Sequence, residues 1–399
     1  MNAATRISRY AAAAALLACL PGAGRAQAQY LSARFKGRLQ TEFRTSDIHS
    51  TNADGTPAAV NTVVGNEFFI RRFYVEADVR VAQHVRAKME LNATRRALNL
   101  EDAYVDVGLG RFVTWRVGQE KKPVERQELV SSSRYPTVER GAQVAGMRNQ
   151  NLVSENNFLT AAGFSSHDVG TSLELHTADS AAIPVSLRVG VWTGQGKDNP
   201  EVNNAKTFGA RLTVQALPRL SLGASFVSHD DPLRVTVGTG SGATQVFAAD
   251  SAGRSTAFGV DAEWGTDAGG LHVIADASIG REGRLGAFTP TLAGLRASAP
   301  GADFSPRFRT LHLVGEYKLA VGGGAVQAIG PLLRFDRTEP DTGNEVGSTL
   351  LTPGVNLYFS PNTWLMVNYD VITPGDRLDL GRGAGESVHS FKTMLRIFF

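Results

Sequence analysis

Arg34, Lys36, Arg38 and Arg44 all stand on even positions of the stretch Tyr30–Ser46, with one acid, Glu42, among them. Residues two apart share a face of an extended strand, so this spacing builds a ladder of positive charge along one side. Such a ladder makes and breaks no bonds. It attracts anions and offers them successive weak sites, which is the chemistry of a conducting pore. Extending the alternation puts Arg72, Arg80, Arg86, Lys88 and Arg116 on the same side. Glu76, Asp78, Glu90, Asp102 and Asp106 share it, so the same residues also read as a polar wall of paired charges. Further on, Arg126, Arg134, Arg140 and Arg148 are balanced by Glu125, Glu128, Glu139 and Glu155. Only Lys121 and Lys122, just before them, tilt that segment positive.

Catalytic constellations are weak. The eight histidines are scattered and form no His-Glu-x-x-His or other ligand spacing, so no metal or cofactor is expected. His229-Asp230-Asp231 reads as a loop with at most an opportunistic cation site. Gly238-Thr239-Gly240-Ser241-Gly242 lacks the lysine of a phosphate loop and reads as a flexible connection. No Gly-x-Ser-x-Gly elbow is present. A membrane hydrolase would need a serine and a histidine on neighbouring strands of the lipid-facing register, and no convincing pair exists. The expectation is a protein that is not an enzyme. A barrel whose loops bind partners without conduction remains a third reading, which single-channel recording separates from a pore.

Composition narrows the class. Of 399 residues, 42% are hydrophobic and 20% charged, enough for a core and too apolar for disorder. Basic residues exceed acidic ones by three. Arg6, Arg9 and Arg25 supply that excess, so the remainder is neutral and gives no support for nucleic-acid binding. Residues 1–28 read as a cleaved secretory signal: Arg6 and Arg9, the apolar run Ala11–Leu20, then Ala26-Gln27-Ala28. Leu16-Leu17-Ala18-Cys19 alternatively reads as a lipoprotein box, with Cys19 lipidated. Cys19 is the single cysteine, so a mature chain starting at residue 29 has no disulfide or thiolate cluster.

The charged ladder needs strands to position it. Leu31, Ala33, Phe35, Gly37, Leu39, Thr41 and Phe43 alternate with the basic set, and His389, Phe391, Thr393, Leu395, Ile397 and Phe399 repeat the pattern. Carried along the chain, the template predicts sixteen strands over 30–46, 67–82, 84–93, 99–108, 112–121, 168–178, 184–194, 206–217, 219–229, 254–266, 270–281, 307–320, 324–336, 349–360, 362–373 and 387–399. Short turns alternate with longer loops at 47–66, 122–167, 195–205, 230–253, 282–306, 337–348 and 374–386. A soluble β-sandwich has no reason to put every long loop at alternate connections. A transmembrane barrel does, with short periplasmic turns and long external loops. A sheet in lipid must satisfy every backbone group and leave no edge, so it closes, and sixteen strands enclose water. The expected architecture is an all-β, sixteen-stranded antiparallel transmembrane barrel over 29–399.

Several segments carry a resemblance. Asp102-Ala103-Tyr104-Val105, Arg116-Val117-Gly118-Gln119-Glu120-Lys121-Lys122-Pro123, Glu128 to Ser133 and Val138-Glu139-Arg140 resemble the phosphate-selective porin O and P family. His167 to Gly170, Val189 to Gly196, Asn204 to Arg211, Gly330 to Phe335 and Gly354 to Asn362 fit the same pattern. The resemblance implies a homotrimeric outer-membrane channel in which the third loop, 122–167, folds inward as a constriction. Basic residues there guide small anions such as phosphate or polyphosphate. The anion-guiding candidates are then Arg34, Lys36, Arg38, Arg44, Arg72, Arg80, Arg86, Lys88 and Arg116 on the wall, and Lys121, Lys122, Arg126, Arg134 and Arg140 at the loop. The family usually has an aromatic after Gln119 and a Pro-Phe-Gly beside the constriction, where this chain has Glu120 and Pro123-Val124-Glu125. A general or differently selective porin is the alternative. Phe399, on one register with Phe391, Leu395 and Ile397, looks like the signal by which the barrel assembly machinery recognises such chains. Outer-membrane lipid is the remaining expected partner.

Overall fold

The computed structural model describes residues 31–399 apart from 49–65, 95–96, 179, 198, 200–203, 205, 238–243, 266–268, 283–306, 344–345 and 382–384. The expected signal segment 1–28, with Cys19, and Gly238–Gly242 lie outside the described residues. Sixteen antiparallel strands pair in chain order, and β1 (Ser32–Ser46) closes on β16 (Val388–Phe398). Between them run β2 (Asn66–Ala82), β3 (Val85–Ala93), β4 (Leu98–Gly108), β5 (Val113–Lys121), β6 (His167–His176), β7 (Val185–Trp192) and β8 (Thr207–Leu217). β9 (Leu220–Val237), β10 (Thr244–Trp264), β11 (Gly270–Arg281), β12 (Arg307–Ala320), β13 (Ala328–Asp341), β14 (Val346–Ser360) and β15 (Thr363–Pro374) complete the wall. No edge is left, as a sheet in hydrocarbon requires.

The seam between first and last strands shows how closure is made. Gly37 N donates to Phe399 O at 2.7 Å and Phe399 N donates back to Gly37 O at 3.1 Å. A Cβ on Gly37 would fall 2.1 Å from the Phe399 ring, so only glycine admits that ring there. Phe399 is 70% exposed and stacks on Phe73, with centroids 6.5 Å apart. Phe35, Leu311, Leu333 and Leu395 are likewise exposed on the outward register, while Arg38, Gln40, Glu42 and Arg44 are buried on the inward one.

Two stretches depart from the predicted elements. The expected loop 230–253 is largely strand, because β9 and β10 extend as a ladder to Val237 and Thr244. Its register jumps from Arg234-Leu233 to Asp231, skipping Pro232, which has no N–H to offer a ladder, and 249–252 on the partner. The expected loop at 337–348 shrinks to 342–345, with β13 shifted to start at Ala328 after the Gly322–Gly324 turn.

The connection between β5 and β6, residues 122–166, is folded and carries its own apolar core. It holds two short helices, α1 (Arg126–Leu129) and α2 (Glu155–Ala161). Ser154 caps α2, its hydroxyl accepting from Asn157 N. Val124, Ala142, Val144, Leu152, Phe158, Leu159 and Phe164 pack with Phe308 (β12), Leu350 (β14), Ile372 (β15) and Val388 (β16) in one buried cluster. Leu378 and Leu380 of the β15–β16 connection join it, and Arg148 N donates to Leu380 O at 3.0 Å.

Candidate functional site

The loop is moored to the wall opposite its own strands. Val138 N donates to Asn368 Oδ1 at 2.7 Å, Asn356 Nδ2 to Pro136 O at 2.9 Å, and Arg396 Nη1 to Tyr135 O at 3.1 Å. Tyr135 Oη meets His312 Nε2 at 2.8 Å, and His312 Nδ1 meets Asp336 Oδ1 at 3.1 Å. On the β11 side, Asp276 accepts from the backbone N–H groups of Arg126 and Gln127 at the start of α1. Partners on β11 to β16 therefore hold a segment that leaves from β5. It crosses the lumen.

A single loop carboxylate ties the other flank. Glu139 receives Arg71 and Arg72 of β2, the latter at 2.9 Å, with Arg44 of β1 at 3.8 Å. Simple alternation would give Arg71 and Arg72 opposite faces. The β1–β2 register instead shifts between Gln40 and Thr41, pairing Gln40 with Arg72 and Thr41 with Ile70. Arg71 is the extra residue of a bulge, which turns it inward beside Arg72. Burial acts to raise the Glu139 carboxyl, but Arg71 and Arg72 outweigh it and hold it well below the usual carboxylate range. Glu128 behaves alike: burial opposes, Lys121 and Arg140 prevail, and its carboxyl sits at about 2. Burial pushes Glu155 of α2 up to about 8. It also raises Glu125, helped by the neighbouring Glu155, Asp276 and Glu128.

Among the described residues, an opening lies between the loop and the β1–β5 wall. A cavity of about 750 Å³ there is lined by Lys36, Arg38, Arg71, Arg72, Lys88, Lys121, Arg140 and Lys197, against Glu76, Glu90, Glu101, Asp102, Glu128 and Glu139. Eight cations face six acids. Ser131, Ser132 and Ser133 line the same space, and Arg38 Nη1 donates to Ser131 Oγ at 3.4 Å. A second cavity of about 660 Å³ at the short-turn end is lined by Arg34, Arg80, Arg86 and Lys88 with Asp78 and Asp106. Lys88 borders both, so the two spaces meet at its side chain.

Most cations in this passage are paired. Lys36 holds Glu76 at 2.5 Å and Asp78 at 2.8 Å, and Lys88 holds Asp102 at 2.8 Å. Arg38 and Arg140 differ. Among the described residues neither has a carboxylate oxygen within 4 Å: Arg38 lies 3.8 Å over the Tyr74 ring, and Arg140 Nε donates to Gln127 O at 2.7 Å.

Five candidates border neither cavity. Lys122 is 2% exposed, its ammonium on Gly163 O at 2.7 Å and Asp168 at 3.3 Å, because the chain turns there and tucks it beneath the loop. Arg44 is buried on Glu42 at 2.6 Å. Arg116 is forked onto Asp106 and stacked over Tyr104, bordering neither cavity. Arg126 reaches Glu263 at 2.8 Å on the far side of α1, and Arg134 is exposed outside both cavities. Alternation alone missed Arg71, Lys197 and the loop-mooring Arg334 and Arg396. The adjacent charges of Arg71-Arg72 were the legible sign of a bulge. Nothing local marks the others.

A model of the phosphate-selective porin O and P family matches residues 45–263, more than half of the chain. The chain belongs to the phosphate-selective porin O and P family. It is a porin, a channel of the outer membrane. Solved barrels share its fold at low identity. The anion-selective porin from Comamonas acidovorans superposes with a TM-score of 0.57 at 13% identity, over 92% of this chain and 100% of that one. The trimer form of OmpT from Vibrio cholerae gives 0.54 at 14%, over 92% and 99%. The outer-membrane channel DcaP of Acinetobacter baumannii gives 0.54 at 11%, over 93% and 98%. No curated protein matches the chain in sequence.

Proposed function

We propose that this porin conducts small anions, phosphate or polyphosphate first among them, along the β1–β5 wall. The observation that carries this is the pair of guanidiniums, Arg38 and Arg140, facing the main cavity with no carboxylate within 4 Å among the described residues. Guanidinium forks match phosphate oxygens two at a time, and the serines beside them donate further hydrogen bonds. Partial desolvation sharpens the preference. Two unit charges ~4 Å apart interact by about 4 kcal/mol at an effective dielectric of 20 and about 1 in water. One of the barrels this chain is similar to is itself described as anion-selective. A homotrimer inserted through part of the outward apolar face, long loops outside, belongs to the same reading, as does the absence of any catalytic step.

Blocking by phosphate tests the solute. Chloride current through reconstituted channels should fall as phosphate is added at constant ionic strength, and fall less in the Arg38→Gln, Arg140→Gln double variant. Unchanged chloride current would remove phosphate and leave an unspecialised pore. That second reading is favoured by one observation, the pairing of Lys36 and Lys88 with wall acids.

A further inference from the structure

The outward register of β11, β12 and β13 is uncharged through Leu271 to Ile279, Leu311 to Leu319 and Ile329 to Phe335. At the long-loop end this changes abruptly. Arg281 ends β11 and Arg307 opens β12, directly opposite each other in the ladder. Arg309 follows two residues along, and Arg337 of β13 stands across from Leu311. All four are exposed on the face that carries Ile279, Leu311, Leu313 and Leu333.

Internal pairing accounts for half of them. Glu339 is straddled by Arg309 and Arg337, the latter at 2.8 Å, and Arg337 Nη1 also donates to Thr349 Oγ1 at 3.2 Å. Arg281 and Arg307 have no carboxylate within 4 Å among the described residues. Opposed positions in an antiparallel ladder have Cα atoms roughly 5 Å apart, and like charges placed so destabilise the pair. Among the described residues nothing rewards this arrangement. A negative ligand between the two guanidiniums would.

The surroundings state the kind of ligand. Charges on the outer face of a barrel cost least at strand ends, where headgroups replace hydrocarbon. These arginines occupy that level at one end only; the opposite end of the same strands presents Leu271, Tyr317 and Leu319 outward. With long loops facing the exterior, the cluster lies at the outer leaflet. We propose that the long-loop rim of β11–β13 binds the phosphate group of an anionic lipid of the outer leaflet. Arg281 and Arg307 fork the phosphate oxygens, Arg309 and Arg337 are held ready by Glu339, and the acyl chains lie on Ile279, Leu311 and Leu313. This site faces away from the lumen and does not depend on what the channel conducts.

Native mass spectrometry of the full chain folded in detergent, titrated with bis-phosphorylated lipid A, tests it. Wild type should retain the lipid, and should retain the dephosphorylated form far less. Arg281→Gln with Arg307→Gln should weaken binding roughly thirtyfold, from the usual worth of a basic residue near an anionic surface, with the heat-modifiable folded band unchanged. Glu339→Gln, which frees both straddling guanidiniums, should instead tighten binding. Equal retention by wild type and double variant, or of both lipid forms, would overturn the proposal. So would displacement by excess inorganic phosphate alone, which would mark a free-anion site, or unchanged lipid binding with dissociated oligomers, which would mark a subunit contact.

Discussion

Glu139 shows how much one side chain decides in this lumen. It is 5% exposed, bound to Arg71 and Arg72, and attached to the loop that crosses the pore. Removing one partner of a buried charge pair costs about 3–5 kcal/mol, because the other charge is left uncompensated. Glu139→Gln is therefore expected to loosen the loop, to leave Arg72 without a carboxylate partner and to leave Arg71 only Glu42, at 3.8 Å, beside the main cavity. Single-channel traces should show more current noise together with stronger anion preference; a quiet channel of unchanged selectivity would contradict the mooring role. On the outer face, Leu333 is 54% exposed at the middle of β13. Leu333→Arg should cost about 2–4 kcal/mol near the bilayer midplane, read as a lower urea midpoint for the folded band. Facing was largely legible at this scale, since Arg38 and Phe35 went where period two put them. It failed at Arg71, where a bulge reset the parity; Lys122, expected at the constriction with the loop, is instead buried beneath it.

The loop of 122–166 crosses the lumen, and its seat is expected to respond to pH. Glu155 is buried against Thr310 and Gln127, with Asp276, Asp336 and Glu125 nearby. Its carboxyl rises from 4.5 to about 8 on burial. A raised folded-state value contributes stability that is complete below 4.5 and is lost as pH rises through about 8. Glu128 works in the opposite sense: held at about 2, its contribution is present above 4.5 and is lost only as pH falls toward about 2. Between pH 4.5 and 8 the loosening from Glu155, joined by the likewise raised Glu125, therefore meets no opposing change from Glu128. Open-channel noise should grow across that window, and Glu155→Gln should flatten the dependence. Noise that falls as pH rises would reverse the assignment. Strand positions were mostly readable from alternation to within a few residues. The β9–β10 hairpin was not, because Pro232 breaks the alternation while backbone pairing resumes beyond it, from Leu233 to Val237 against Thr244 to Ala248. The loop's seat was invisible for a different reason: Tyr135 meeting His312 and Val138 meeting Asn368 are contacts across 177 and 230 residues. No local pattern encodes them.

At the scale of the molecule, closure and charge placement are separate properties. Closure rests on β1 pairing with β16, from Arg38–Phe398 to Ser46–Ser390, plus the two bonds between Gly37 and Phe399. Deleting Ile397-Phe398-Phe399 unpairs one end of that seam toward lipid, at several kcal/mol for each unsatisfied group. Loss of heat-modifiable inserted protein is expected, and normal assembly would contradict the role given to the seam. Selectivity has another origin. Residues 29–399 carry as many acids as bases, so preference comes from where charges stand. Salt screens a wide vestibule over about 10 Å at 0.1 M, and screens a narrow, partly buried constriction less. The most direct test is the reversal potential of a single reconstituted channel under a potassium chloride gradient, in low and in high salt. The structure predicts the sign of anion preference in both, with the value moving toward zero in the Arg38→Gln, Arg140→Gln variant. A wild-type channel that is cation-selective in high salt would contradict the reading of the β1–β5 passage as an anion path.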